Sequence, residues 1–194
     1  MGIGYYNSLV TMQAAGPNLT ASTTATSLLN AQAKVTLPAG FFAYIGQKLL
    51  VRVQGQIGNV VTTPGTLTLN FNLGSAGTTV VWNSGAIALS TTVHTTLPFW
   101  LEIDLTVRSL GSGTAATFMP QGRMTALPIQ AVQQADPATL LSHNTLMLPT
   151  TVPATTTFDS TIANVCDLVG TWSLNNADAI QVQQYEVISC NWGG

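Results

Sequence analysis

The stretch from Leu97 to Leu110, LPFWLEIDLTVRSL, decides the fold class. Phe99, Leu101, Ile103, Leu105 and Val107 recur at every second position, and Trp100, Glu102, Asp104, Thr106 and Arg108 fill the positions between them. Side chains alternate faces along a strand, so this period gives one apolar face and one wet face. A helix needs apolar residues three and four apart, and the stretch does not supply them. It reads as a long antiparallel strand covering one side of a β core.

The neighbouring chain repeats the pattern. Lys48 to Val61 points Leu49, Val51 and Val53 inward and Leu50, Arg52, Gln54 and Gln56 outward, with Gly55 and Gly58 as candidate bulges. TLTLNFNLG, Thr66 to Gly74, alternates Leu67, Leu69, Phe71 and Leu73 with Thr68, Asn70 and Asn72. Thr78 to Trp82 and Ala86 to Thr92 read as two short strands broken at Asn83-Ser84-Gly85. Thr114 to Thr125 is expected to pair with the opening stretch, with Pro120 and Gly122 marking a bulge or an edge. Phe158 to Leu174 puts Leu168, Trp172 and Leu174 on one face, and a turn at Asn175–Asp178 folds Ile180 to Cys190 back on it as a hairpin, with a bulge at Gln183-Gln184.

Elsewhere the pattern is weaker. Residues 1–24 read as an extended N-terminal arm with little structure of its own, fit to be ordered on a neighbouring subunit, and 25–194 as the domain. Ala25 to Leu37 reads as a first strand region, and FFAYIG, 41–46, as a plug for one end of the core. Residues 126–157, interrupted by Pro128, Pro137, Pro149 and Pro153, read as a long irregular loop, a length that in a compact domain usually signals function or docking. The expected fold is all-β: a single jelly-roll-like antiparallel β-sandwich of eight or nine strands.

Composition narrows the function classes. Charged residues are 6% of the 194, hydrophobic ones 46%, and the net charge is −2. That balance carries no basic footprint for nucleic acid. MGIGYYNSLV lacks the cationic and apolar regions of a signal peptide, Tyr6 breaks the myristoylation pattern, and no apolar run reaches the roughly 18 residues of a membrane span. A soluble protein made in the cytosol, with no membrane partner, is expected. A surface rich in neutral Thr, Ser, Asn and Gln gives little repulsion between copies and suits permanent contact with neighbours. Cys166 and Cys190 flank the expected hairpin; buried reduced thiols are the first reading and a disulfide the second.

No residue pattern builds a catalytic centre, and no cofactor is expected. His94 and His143 have no acid or cysteine at an orienting or metal spacing, and Ser142 beside His143 lacks a nucleophile elbow. Glu102 and Asp104 stand two apart on one strand face, the spacing of paired carboxylates, but Arg108 and Arg52 are at hand for ordinary ion pairs. Among the tryptophans, Trp172 alternates inward, Trp82 lies near a turn, and Trp100 lies on the wet face, where it suits a subunit contact or a glycan platform. Tyr5, Tyr6, Trp100 and His143 are therefore the candidate contact residues.

Together the low charge and the segments GQKLLVRVQGQIGNVVTTPGTLTLNFNLG (46–74), PFWLEIDLTVRSLGSGTAATFMPQGRMT (98–125) and FDSTIANVCDLVGTWSLNNADAIQVQQYEV (158–187) resemble small β-rich virion proteins of tailed bacteriophages. The resemblance spans roughly residues 25–190 and lies in the texture of strands and turns, with no invariant motif to carry residue roles across. It implies a jelly-roll capsid cement or decoration protein at the capsid surface, often a homotrimer, bridging subunits of the major capsid protein after synthesis in the host cytoplasm. The arm and the 126–157 loop are then the expected contact segments. The alternative is a carbohydrate- or receptor-binding β-sandwich module in a tail or head fibre.

Overall fold

The computed structural model describes residues 5–129, 145–149, 151 and 154–191. In chain order the strands are β1 (Tyr5–Thr11), β2 (Leu19–Thr20), β3 (Thr26–Ser27), β4 (Thr36–Leu37), β5 (Lys48–Asn59), β6 (Leu67–Leu73), β7 (Thr79–Ile87), β8 (His94–Ser109), β9 (Ala116–Ala126), β10 (Thr145–Leu148), β11 (Thr156–Phe158), β12 (Asn164–Val165), β13 (Asp167–Trp172) and β14 (Ala179–Asn191). The one helical element among the described residues is a 3₁₀ turn, Ala31–Ala33, capped by the Asn30 side chain. No helix there is long and apolar enough to cross a membrane.

Every pairing of named strands is antiparallel. A large sheet runs β1-β14-β5-β8-β9-β10, with β2 added to β14 and β11 to β9, and a smaller one runs β3-β13-β6-β7. Each sheet turns its alternate apolar positions inward, and the two inner faces share one apolar core. Leu49, Val51, Val53, Leu101, Ile103 and Leu105 come from the large sheet, and Leu67, Leu69, Phe71, Trp82, Leu168 and Trp172 from the small one. The opening stretch behaves as its alternation requires: Phe99, Leu101, Ile103, Leu105 and Val107 are buried, and Trp100 and Arg108 are exposed. FFAYIG does plug one end, through Phe42 packed edge-on at 5.1 Å against both Phe118 and Phe158, which stack at 4.1 Å.

Several local readings change. The arm is extended, but from Tyr5 to Thr11 it lies on its own domain, as the edge strand beside β14. Ala25 to Leu37 forms only β3, the 3₁₀ turn and β4. The two short strands around Asn83-Ser84-Gly85 are one strand, β7, because buried Ser84 takes the Leu69 N–H on its Oγ at 2.9 Å and keeps β6 attached across the irregularity. His94 begins β8, opposite Asn59. Pro120 lies at a local edge within the sheet: β9 lies between β8 and the pair β10 and β11, and Pro120, opposite Leu105, falls in the gap that those two short strands leave uncovered.

The largest change is at the expected hairpin. β13 pairs with β6 in the small sheet and β14 with β5 in the large one, so the turn between them crosses the sandwich. Cys166 enters the core beside β13, while Cys190 lies outside it on β14, and both are free thiols. Leu174, past the end of β13, is exposed. The bulge expected at Gln183-Gln184 is present, as a register shift between Val182 and Gln184.

Candidate functional site

Cross-strand register builds the outer face of the large sheet row by row, because directly opposed residues share a face. One row reads Glu186, Arg52, Glu102, Arg123, Met147 across β14, β5, β8, β9 and β10. Glu102 is held from both sides, by Arg52 Nε at 3.4 Å and Arg123 Nη2 at 3.1 Å. Toward the other end of the face, Lys48 Nζ meets Asp104 Oδ2 at 2.8 Å. The two carboxylates that the sequence sets side by side are thus paired with cations. Four of the chain's five basic residues, Lys48, Arg52, Arg108 and Arg123, stand on this face with Glu102, Asp104 and Glu186. Charge is gathered here, four basic groups against three acids, with Lys48, Arg52 and Arg123 in ion pairs.

The next row is uncharged: Gln184, Gln54, Trp100, Thr125, Thr145. Trp100 is 46% exposed, with alternation on the central strand holding its ring on the solvent side. The bulge in β14 leaves Gln183 and Gln184 both exposed instead of turning one inward. A hollow of about 390 Å³ opens there, bounded by Trp100, Arg52, Gln54, Gln184, Glu186 and the Thr11–Met12 end of β1. Farther down the same strands a smaller hollow of about 130 Å³ is lined by Gln56, Gln181 and Asn18. Gln181 is anchored there by donating to the Gly16 carbonyl at 3.0 Å.

A second surface lies at the Phe42 end of the sandwich, where three loops are laced together by their backbones. Gly46 N–H donates to Val107 at 2.9 Å, Gly40 N–H to Ser160 at 3.2 Å, and Ser160 N–H to Gly111 at 3.0 Å. Buried Asn164 locks this end by accepting from Gly74 N–H at 3.0 Å and donating to the carbonyls of Asp159 and Ile162 at 2.9 and 3.0 Å. Asp159 takes Gly113 N–H at 2.7 Å and both the hydroxyl and N–H of Thr161. These bonds, led by the Thr161 hydroxyl, favour the charged form and hold the carboxyl below its usual range. On this fixed frame stand exposed Ile45, Leu110 and Ile162, with Ile45 65% exposed.

The structure separates the sequence candidates. Tyr6, 71% exposed, faces outward opposite Cys190, in the row of Lys48 and Thr106. Trp100 lies three rows and three strands from it, roughly 25 Å at sheet spacings. Tyr5 pairs through its backbone with Asn191, and His143 lies outside the described residues. Of the other tryptophans, Trp82 and Trp172 are core. Residues that the sequence reading did not select, Gln54, Gln184, Arg52 and Glu186, surround Trp100. Alternation places Gln54 and Arg52 outward, whereas the positions of Gln184 and Glu186 follow from β14 lying against β5.

No protein-family model matches the chain, and no curated protein matches it. Among solved structures, the chain is similar to a peanut lectin with a 9mer peptide, at 7% identity and a TM-score of 0.32, over 97% of each chain. A likeness that distant carries no argument about ligand.

Proposed function

We propose that this chain is a non-enzymatic structural protein of a tailed-phage particle, in the capsid cement or decoration class. In this reading it forms a homotrimer on the capsid surface and bridges subunits of the major capsid protein. The observation that carries the proposal is the apolar tip of Ile45, Leu110 and Ile162, presented on loops hydrogen-bonded into a fixed frame. Exposed apolar side chains held together on a rigid support are what a docking surface needs, because little ordering entropy is lost on contact. The edge strand β1, with Tyr6 outward, offers a second contact on another side of the molecule. Several modest contacts made at once by a symmetric oligomer multiply into firm attachment.

The test is sedimentation of the purified protein with heads assembled without it, after its solution mass is measured by light scattering. Saturable co-sedimentation is expected, weakened at least tenfold by the double change Ile45→Asp and Leu110→Asp with the thermal midpoint retained. Absence of co-sedimentation by the parent protein refutes the cement reading. Binding that survives the double change moves the contact off the tip.

A further inference from the structure

We infer that the hollow beside Trp100 is a binding site for a neutral oligosaccharide. The inference stands independently of the particle reading, since it concerns a different face of the molecule. Its floor is rigid: Trp100 sits on β8 in unbroken register with β5 on one side and β9 on the other. A half-exposed indole in that setting offers a flat apolar platform that the C–H face of a sugar ring can cover.

The rim supplies the matching polar groups. Gln54 and Gln184 are opposed across β5 and β14 beside the ring, and each amide brings both donors and an acceptor. A sugar hydroxyl is likewise donor and acceptor at once, so an amide pair satisfies it in either sense. Arg52 and Glu186 complete the rim with opposite charges, and Arg52 is already engaged by Glu102. The rim is therefore neutral, which argues against an anionic sugar or a nucleotide, whose phosphates would need uncommitted cations. A peptide added as a strand needs free backbone groups, and the floor of the hollow is the face of β14, β5 and β8, each flanked by strands on both sides. The volume of about 390 Å³ falls in the range of small-ligand sites, and the Gln56–Gln181 hollow continues the amide lining along the same strands. An extended chain of sugar units fits that course better than a single ring.

The experiment titrates the 194-residue chain with maltohexaose, cellohexaose and chitohexaose, with a heparin hexasaccharide as the anionic control, by isothermal calorimetry and tryptophan fluorescence. Trp82 and Trp172 are buried and Trp192 lies outside the described residues, so a ligand-induced emission change is assigned to Trp100 by its loss in Trp100→Ala. Saturable binding of at least one neutral oligosaccharide is expected, weakened at least tenfold by Trp100→Ala and at least threefold by Gln54→Leu. Gln184→Leu, on a separate strand, serves if Trp100→Ala fails to fold. No saturable binding by any of the three neutral probes overturns the inference, as does binding by heparin alone or binding that the substitutions leave intact. Failure here leaves head co-sedimentation unaffected, and failure of co-sedimentation leaves the titration unaffected.

Discussion

Gly16→Ala tests whether the first 24 residues are a loose arm or part of the domain, because the two cases predict opposite signs. Gly16 is buried where the chain crosses from β1 toward β2. Its N–H donates to the Val182 carbonyl at 2.8 Å, and its own carbonyl accepts from Gln181 Nε2 at 3.0 Å. A Cβ there would overlap the Leu28 carbonyl oxygen and come within 3.3 Å of the Met12 methyl. The obstacle is backbone, which cannot swing aside as a side chain can. Overpacking of this kind costs about 1–3 kcal/mol. Backing away strains the two hydrogen bonds, each worth about 1 kcal/mol net. The sum is about 3 kcal/mol, which for a chain of this size lowers the thermal midpoint by roughly 6–12 °C. A loose arm would instead gain about 0.4–1 kcal/mol, since alanine restricts the unfolded chain. Urea unfolding followed by tryptophan fluorescence separates the cases, with the slope expected to stay constant. A midpoint equal to or above the parent's refutes the packing of this segment.

Two titratable groups give further checks. Asp159 is expected to titrate below the usual carboxylate range by NMR, and Thr161→Val to move its midpoint up; an unmoved midpoint refutes the hydroxyl as the main cause. Because the folded-state value is depressed, the stabilisation from Asp159 is present above the unfolded-state pKa and is lost as pH falls through the folded one. Burial, with the neighbouring Asp167 charge, pushes the Cys166 thiol far up, and burial also raises Cys190. A maleimide at pH 8 is expected to label Cys190 slowly and Cys166 only after unfolding; labelling of native Cys166 at the rate of a free thiol refutes its burial.

The strand faces were legible because alternation is a local property. Leu97–Leu110, Lys48–Val61 and Thr66–Gly74 each carry enough alternate apolar positions to fix which side is in. Partnership was not legible where it depends on long-range pairing. Asp167–Trp172 and Ala179–Asn191, joined by a turn, have the look of a hairpin, and nothing within them tells β13 to take β6 and β14 to take β5. Trp172 helps settle that choice in space, donating its indole N–H to the Leu19 carbonyl at 3.1 Å, far away in sequence. The same limit governs the site. Trp100 could be read as outward-facing from its own strand, but its company of Gln184 and Glu186 exists only once β14 lies two strands away. The Asn83-Ser84-Gly85 break misled because the hydroxyl that bridges it acts on a residue of another strand.

The position of β14 has a kinetic consequence. This late strand supplies partners to β1, β2 and β5, so one half of the large sheet cannot close until it arrives. β8 and β9 form their hairpin from adjacent sequence, while β1 must hold its place for a partner made long after it. Ladders of such separation carry a heavy loop-closure cost and place the chain among slow folders. In the interval one edge of β5 is open, its backbone groups from Lys48 to Gly58 without the partners that β14 supplies. An unpaired edge of that length is where copies cross-pair or exchange strands, so yield in refolding is set by concentration as much as by stability.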